Sequence, residues 1–173
     1  TNDTYRALIV IRELPYEMVT DEYINLIMLH IETIKLTGLK PVFIPFCPED
    51  VAFLKRLHLI DRFPVVELWN NPRRMQQYIM NSGMVISYGR LHPLIFSANV
   101  DTPVALVSFK YLLNINEDIK TYKMARGLDI PIIYSQQELC NFLTSPISAN
   151  QQKVALAKNR LIEMQNRIIE MIN

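Results

Sequence analysis

The stretch MVISYGRLHPLIFSANVDTPVALVSF, residues 84–109, decides the fold because it holds a strand, a helix and a second strand in succession. MVISY and PVALVSF are short apolar runs of the length of buried strands. Between them, Pro93 is well placed as the first residue of a short helix, PLIFSANV. Two such strands joined by a helix indicate a parallel βαβ unit.

The same alternation continues over the rest of the chain. Four further segments predict strands: YRALIVIREL, which ends near Arg12, KPVFIPF, PVVELW and IPIIY. A helix is predicted over TDEYINLIMLHIETIKLTG, with Thr20 as its N-terminal cap and Gly38 at its C-terminal end. Further helices are predicted over CPEDVAFLKRLHLI, NNPRRMQQYIMNSG, IKTYKMARGL and SQQELCNFL. KYLLNINED is predicted to be a polar loop. We therefore predict an α/β fold: a doubly wound, mainly parallel, six-stranded Rossmann-like sheet with helices on both faces and a long C-terminal helix.

Residues 148–173 predict that long amphipathic helix. Its apolar residues recur at heptad spacing, at Val154, Ala157, Leu161, Met164, Ile168 and Met171. This spacing suits a coiled-coil seam between two copies, but we favour packing against the chain's own sheet or against a second domain, since three heptads are marginal. Residues 1–173 are predicted to form a single domain, because neither a repeat nor a linker interrupts them.

Composition excludes several classes of protein. The chain has 173 residues, half of them hydrophobic, and a net charge of +1. Without a stripe of Lys and Arg it is not expected to bind nucleic acid, and without roughly 20 consecutive apolar residues it is not expected to span a membrane. Cys47 and Cys140 match no metal or redox spacing, and the four glycines form no GxGxxG motif, so we expect neither a metal nor a nucleotide cofactor.

Ligands of an open α/β sheet bind beyond the carboxyl ends of its strands, which directs attention to residues 87–92 after MVISY. Pro93 disfavours helical geometry at His92, so Arg90 and His92 are predicted to precede the helix and to face one ligand together. The helix N-terminus adds positive charge, and this combination suits a phosphate or carboxylate. In the alternative interpretation, Arg90 pairs with a nearby carboxylate and His92 only caps the helix.

Other residues carry weaker signals. Glu49 and Asp50 suit the dipole of a helix N-terminus, with a sugar contact or a base as the alternative. Trp69 could stack on a sugar ring, although half-buried packing is the commoner use of a tryptophan at a strand end. His30 and His58 are expected at the surface or at the edge of the core.

Residues 84–109 resemble the core motif of the polysaccharide pyruvyl transferase family, in which a buried strand leads into Arg-Leu-His, a short helix and a Pro-initiated strand. ALIVIRELP, KPVFIPFCPEDVAFLKRL and IKTYKMARGLDIPII are similar to further segments of that family, so the resemblance covers most of residues 5–133. It implies one half, the C-terminal one, of a two-domain enzyme similar to the glycosyltransferase-B fold, with a missing N-terminal domain of the same chain as its partner.

The resemblance also implies an activity, the transfer of the enolpyruvyl unit of phosphoenolpyruvate to a sugar diol of a cell-surface polysaccharide or its precursor. A pyruvate ketal forms, and no cofactor is needed. By this resemblance His92 is the general acid and Arg90 holds one anionic group of the donor, while Arg12 or Lys120 holds the other and Lys110 competes with Lys120. The implied substrate-binding set is Arg12, Ser87, Arg90, His92, Lys110 and Lys120.

Such an isolated half is expected to be inactive, cytoplasmic or peripheral at the inner membrane face, and open to forming a homo-oligomer. Two other functions stay open at this point. One is a glycosyltransferase-B domain that binds a nucleotide-sugar donor in the same cleft. The other is a non-catalytic interaction module, in which the C-terminal helix docks a partner or a second copy.

Overall fold

A computed structural model describes residues 3–116 and 119–172. Five strands form one sheet: β1 (Asp3–Ile11), β2 (Lys40–Phe43), β3 (Ser82–Tyr88), β4 (Val104–Val107) and β5 (Ile132–Ile133). The strand order is β2-β1-β3-β4-β5, and every neighbouring pair is parallel. The α/β class and the parallel Rossmann-like sheet are therefore confirmed.

Helices cover both faces of the sheet. They are α1 (Asp21–Leu36), α2 (Pro48–Arg56), α3 (Pro72–Met80), α4 (His92–Asn99), α5 (Phe109–Leu113), α6 (Ile119–Gly127), α7 (Gln136–Thr144) and α8 (Gln151–Ile172). Alternate residues of β1 point to opposite faces. Ala7 and Ile9 pack with α1, α2, α5 and α7, while Leu8 and Val10 pack with α3, α4, α6 and the start of α8.

Local sequence signals fix the ends of the helices. The Thr20 side chain accepts a hydrogen bond from the Tyr23 N–H at 3.2 Å, and the Asn71 side chain accepts one from the Arg74 N–H at 3.1 Å. Gly38, which follows α1, has a φ of +82°, the left-handed conformation that glycine adopts without strain. These caps confirm the boundaries that the sequence indicates for α1 and α3.

The sheet has five strands, and the prediction of six was wrong. PVVELW, the predicted third strand, makes only one isolated parallel bridge, between Val65 and Phe43. The Phe43 N–H donates to the Pro64 carbonyl and the Val66 N–H donates to the Phe43 carbonyl, both at 2.9 Å. β2 has only four residues to pair with, and Pro64 has no N–H to donate, so the ladder stops after one step.

The predicted loop KYLLNINED begins instead with the short helix α5. The Ser108 hydroxyl caps it by accepting hydrogen bonds from the N–H groups of Lys110, at 3.1 Å, and Tyr111, at 3.4 Å. Leu112 is buried and anchors α5 to the core. Glu117 and Asp118 of the same predicted loop lie outside the described residues.

The C-terminal helix is confirmed, and of the two forms of packing that we favoured, packing against the chain's own sheet is limited to its start, while packing against a second domain stays a prediction. It begins at Gln151, and over residues 151–167 only Val154 is buried. The heptad positions Leu161 and Met164 are exposed. The side chains of Ile168 and Met171 lie outside the described part of the chain. Within the described side chains, α8 therefore packs against its own domain only near its first turn.

Candidate functional site

The carboxyl ends of β1 and β3 form the crevice in which a ligand of such a sheet is expected. β1 lies at the topological switch point, between β2 and β3, where successive connections leave in opposite directions. The Arg12 N–H donates to the Tyr88 carbonyl at 3.2 Å, so the two strands stay side by side to their ends. Residues 12–13 and 89–90 are thereby brought together.

A buried ion pair occupies this crevice. Asp50, in the first turn of α2, is fully buried and receives Arg90 Nε on Oδ2 at 3.1 Å and Arg90 Nη2 on Oδ1. The backbone N–H groups of Glu13 and Phe46 donate to the same carboxylate at 3.2 and 3.1 Å. Four donors saturate Asp50, which makes it the bridge between the ends of β1, β2 and β3.

The ion pair also involves Cys47. Arg90 Nη2 lies 2.8 Å from Cys47 Sγ. Burial alone would lower the pKa of Arg90, but the hydrogen bond and charge of Asp50 outweigh it, and that pKa is raised. Burial is the largest cause of a raised pKa at the Cys47 thiol, so Cys47 stays protonated near neutral pH. The geometry matches the alternative in which Arg90 pairs with a carboxylate.

His92 faces a different cavity, which we call the aromatic slot. It is the first residue of α4, is exposed, and lines a cavity of about 180 Å³ together with Phe46, Trp69, Pro72, Met75 and Phe96. Phe46 and Phe96 meet edge to face, with ring centroids 5.6 Å apart and an interplanar angle of 86°. Trp69 is 39% exposed, so its ring is available to a ligand.

A second groove, of about 480 Å³, lies at the ends of β1 and β4 and is lined by Arg12, Glu13 and Phe109 among others. Gly89 supports its wall. It has a φ of +75°, and a Cβ built on it would lie 1.9 Å from Phe109 Cζ. Only glycine therefore lets the Phe109 ring pack against the loop that follows β3.

The structure does not gather the predicted site residues into one cavity. Arg12 lines the groove beside Phe109, His92 lines the aromatic slot, and Lys120 lines a third groove between α6 and α8. Lys110 is exposed on α5. Ser87 is buried, and its hydroxyl donates to the Arg90 carbonyl at 2.8 Å, so it braces the loop from inside. Their proposed roles in substrate binding stay predictions.

His30 was expected at the surface or the core edge, but it is fully buried. Its Nδ1 lies 2.9 Å from the Tyr88 hydroxyl, and its Nε2 lies 3.4 Å from the Tyr111 hydroxyl. Burial lowers the pKa of His30 to about 4, so the ring is neutral near pH 7. The burial of His30 could have been predicted from the sequence, since His30 lies three residues after Ile27 and four before Ile34 on the apolar face of α1.

The described residues contain no group of three or more His, Cys, Asp or Glu side chains arranged to hold a metal ion. Cys47 and Cys140 are both free thiols.

A doubly wound parallel sheet of this order defines the class of protein, a Rossmann-like α/β domain. A similar solved structure is the UDP-GlcNAc 2-epimerase of Methanocaldococcus jannaschii, crystallised in complex with UDP-GlcNAc and UDP. The identity is 13% and the TM-score 0.55, over 90% of this chain and 45% of the epimerase. This chain thus spans less than half of that protein.

Neither a protein-family model nor a curated protein sequence matches the chain. The resemblance to polysaccharide pyruvyl transferases is supported only at its broader level, the glycosyltransferase-B-like fold. Membership of the pyruvyl transferase family stays a prediction.

Proposed function

We propose that this chain is a ligand-binding domain for a nucleoside diphosphate or a nucleotide sugar, with the aromatic slot as its docking site. The observation that carries the proposal is the slot itself, a cavity at the carboxyl edge of the sheet that is lined by Phe46, Trp69 and Phe96 and by His92. Its position is the one in which open α/β sheets bind ligands.

The slot suits a ligand with one flat ring and one anionic end. A uracil ring or the apolar face of a sugar can lie on Trp69, because the indole is partly exposed and offers a large flat surface. The first turn of α4 begins at His92, where the positive end of the helix dipole lies. A phosphate beside His92 would be stabilised by that positive helix end.

A nearby arginine adds to the positive charge. Arg73 is exposed in the first turn of α3, directly after Pro72 of the slot wall. A cation at a helix N-terminus opposes the helix dipole and costs stability. An anionic ligand at the adjoining slot would give this arginine a function that compensates for the cost.

Enolpyruvyl transfer from phosphoenolpyruvate remains the second candidate. One observation favours it: Arg90 and His92 both follow β3, and the Arg90 side chain keeps 22% of its surface exposed. Arg90 would then have to share its guanidinium between Asp50 and the donor. This second candidate includes the transferase activity, a sugar acceptor and a second domain of the same chain.

The chain carries its own reporter for a test, because Trp69 is its one tryptophan. We would titrate the protein with UDP, UDP-GlcNAc and phosphoenolpyruvate and follow the tryptophan emission, with calorimetry in parallel. UDP and UDP-GlcNAc are expected to change the emission and to release heat. A change in emission and heat with phosphoenolpyruvate alone would favour the second candidate. If none of the three ligands gives a response up to millimolar concentration, both candidate functions are refuted.

Substitutions in the aromatic slot test whether the ligand binds there. Stacking of a base on an aromatic side chain contributes about 1–3 kcal/mol, so Trp69→Ala should weaken the calorimetric affinity for UDP by about 5-fold to 150-fold. His92→Asn should weaken it as well. His58→Asn is the matched control, since His58 is exposed at the end of α2, with a φ of +53° that asparagine tolerates. Equal losses in both histidine variants would contradict the assignment of His92 to the site.

A further inference from the structure

The α8 helix presents an apolar stripe that its own domain does not cover. Val154 is buried against the domain, and Leu161, about 20° away around the helix, is 51% exposed. Ile162 and Met164 are 54% and 55% exposed. From Val154 to Arg167 the helix runs for about 20 Å. The stripe that packs on the sheet layer at one end therefore continues uncovered along the helix.

Basic side chains lie beside and within this stripe. Arg160 and Arg167 lie about 100–120° to one side of Leu161, and Lys158 lies about 60° to its other side, within the stripe. Glu163 lies about 160° from Leu161, on the same side of the helix as the two arginines. Residues 151–167 carry four cations and this one acid, and an apolar stripe with such an excess of positive charge is typical of helices that lie in the surface of an anionic bilayer.

The positive charge is not confined to α8. Lys120 and Lys123 of α6 line a groove of about 590 Å³ together with Lys153 and Arg160 of α8. Met124, Leu128 and Leu156 are among the apolar residues of the same groove. Lys153 is paired with Asp129 at 2.7 Å. The groove thus continues the basic flank of α8 onto the body of the domain.

We propose that α8 and the adjoining α6–α8 groove dock this chain onto the surface of an anionic phospholipid bilayer. Leu161, Ile162 and Met164 enter the boundary between headgroups and acyl chains, while Arg160 and Arg167 extend their side chains to lipid phosphates. The helix lies in the interface. No helix among the described residues is long and apolar enough to cross a bilayer. A second copy fits less well, because its α8 would bring the same flanking cations against these.

The test is cosedimentation of the protein with vesicles of 70% phosphatidylcholine and 30% phosphatidylglycerol at 50 mM salt, with pure phosphatidylcholine vesicles for comparison. We expect binding to the anionic vesicles only, and release as the salt concentration rises. A cation near an anionic surface contributes about a fivefold change in partitioning. Removing two, in Arg160→Gln with Arg167→Gln, should lower partitioning about 30-fold.

Two further variants complete the design. Leu161→Gln with Ile162→Gln keeps residues that favour helix and should also abolish binding, although all cations remain. Lys40→Gln with Lys55→Gln removes the same charge from exposed residues of β2 and α2, away from α8, and should bind like the wild type. Circular dichroism and thermal unfolding check that each variant is folded.

Three outcomes would overturn the proposal. The first is a wild-type chain that fails to bind the anionic vesicles. The second is loss of binding in the Lys40 and Lys55 control equal to that in the Arg160 and Arg167 variant. The third is self-association in sedimentation that the Leu161 and Ile162 variant abolishes, without vesicle binding, because the occupant of the stripe would then be a second copy. None of these depends on the aromatic slot, so the two proposals succeed or fail separately.

Discussion

Replacing Asp50 with asparagine tests whether the Arg90 guanidinium is part of the architecture. The carboxylate of Asp50 is fully buried and accepts two hydrogen bonds from Arg90 and one each from the Glu13 and Phe46 N–H groups. Asparagine has nearly the same shape, but it carries no charge and has one acceptor oxygen in place of two. The variant therefore leaves the Arg90 cation without its counter-ion and at least one N–H group without a partner.

The expected loss of stability follows from the partners that the variant removes. Breaking a buried ion pair by removing one partner costs about 3–5 kcal/mol. Two features reduce the cost here: the Arg90 side chain is 22% exposed and can regain part of its hydration, and the asparagine oxygen still accepts one hydrogen bond. We expect Asp50→Asn to lower the free energy of unfolding by about 2–4 kcal/mol, a large part of the ~5–15 kcal/mol typical of a domain.

Urea unfolding followed by circular dichroism gives the measurement, through the midpoint at constant slope. Arg90→Met and the double variant complete a thermodynamic cycle. Each single variant should be destabilised by several kcal/mol, and the double variant should lose clearly less than the sum, because no unpaired charge remains buried. A loss below about 1 kcal/mol in either single variant, or strict additivity, would show that the ion pair does not hold the crevice together.

Two further predictions concern the residues around Tyr88 and the loop after β3. The folded pKa of His30, about 4, lies below its ordinary value of 6.5, so the unfolded chain binds the proton more tightly, and stability should fall by about 3 kcal/mol as pH drops from 7 to 4. In the His30→Gln variant, urea midpoints should no longer show this fall in stability between pH 7 and 4. A pH dependence equal to that of the wild type would contradict the prediction. Gly89→Ala should cost about 2–4 kcal/mol in thermal unfolding, since φ is +75° and the new Cβ would strike Phe109. Phe109→Leu in the same chain should restore part of that loss, and no restoration would mean that the clash is not the cause.

Patterns local to the chain predicted most of the fold. The period of the hydrophobic residues, the helix caps and the positions of the prolines predicted β1, α1, α3 and α8. Each of these signals lies within a few residues of the element that it predicts. The wrong strand, PVVELW, has the composition of a strand. Whether it pairs depends on the length of its neighbour β2 and on the proline at its start, and the first of these is a property of the folded sheet.

The site was less predictable for a related reason. Gly-Arg-Leu-His after a buried strand predicted where the crevice lies, and the edge of the sheet is there. The partner of Arg90 is Asp50, 40 residues earlier in the chain, and first-turn acids so often serve the helix dipole that its sequence context gave no sign of this pairing. Trp69 and His92 meet in one cavity only because α3 and α4 pack side by side.

The contacts of the loop after β3 match the interpretation in which Arg90 pairs with a carboxylate, and they do not place Arg90 beside His92 on one ligand. The Ser87 hydroxyl holds the Arg90 carbonyl, and Asp50 holds its guanidinium, so both ends of this residue are fixed from within the domain. His92 follows two residues later, at the edge of the aromatic slot. A fixed Arg90 therefore positions His92 at the start of α4, since a loop anchored at both ends has few conformations left to lose when a ligand arrives. By this argument the ion pair matters to binding without contacting the ligand, and its loss should weaken the affinity of the slot as well as the stability of the domain.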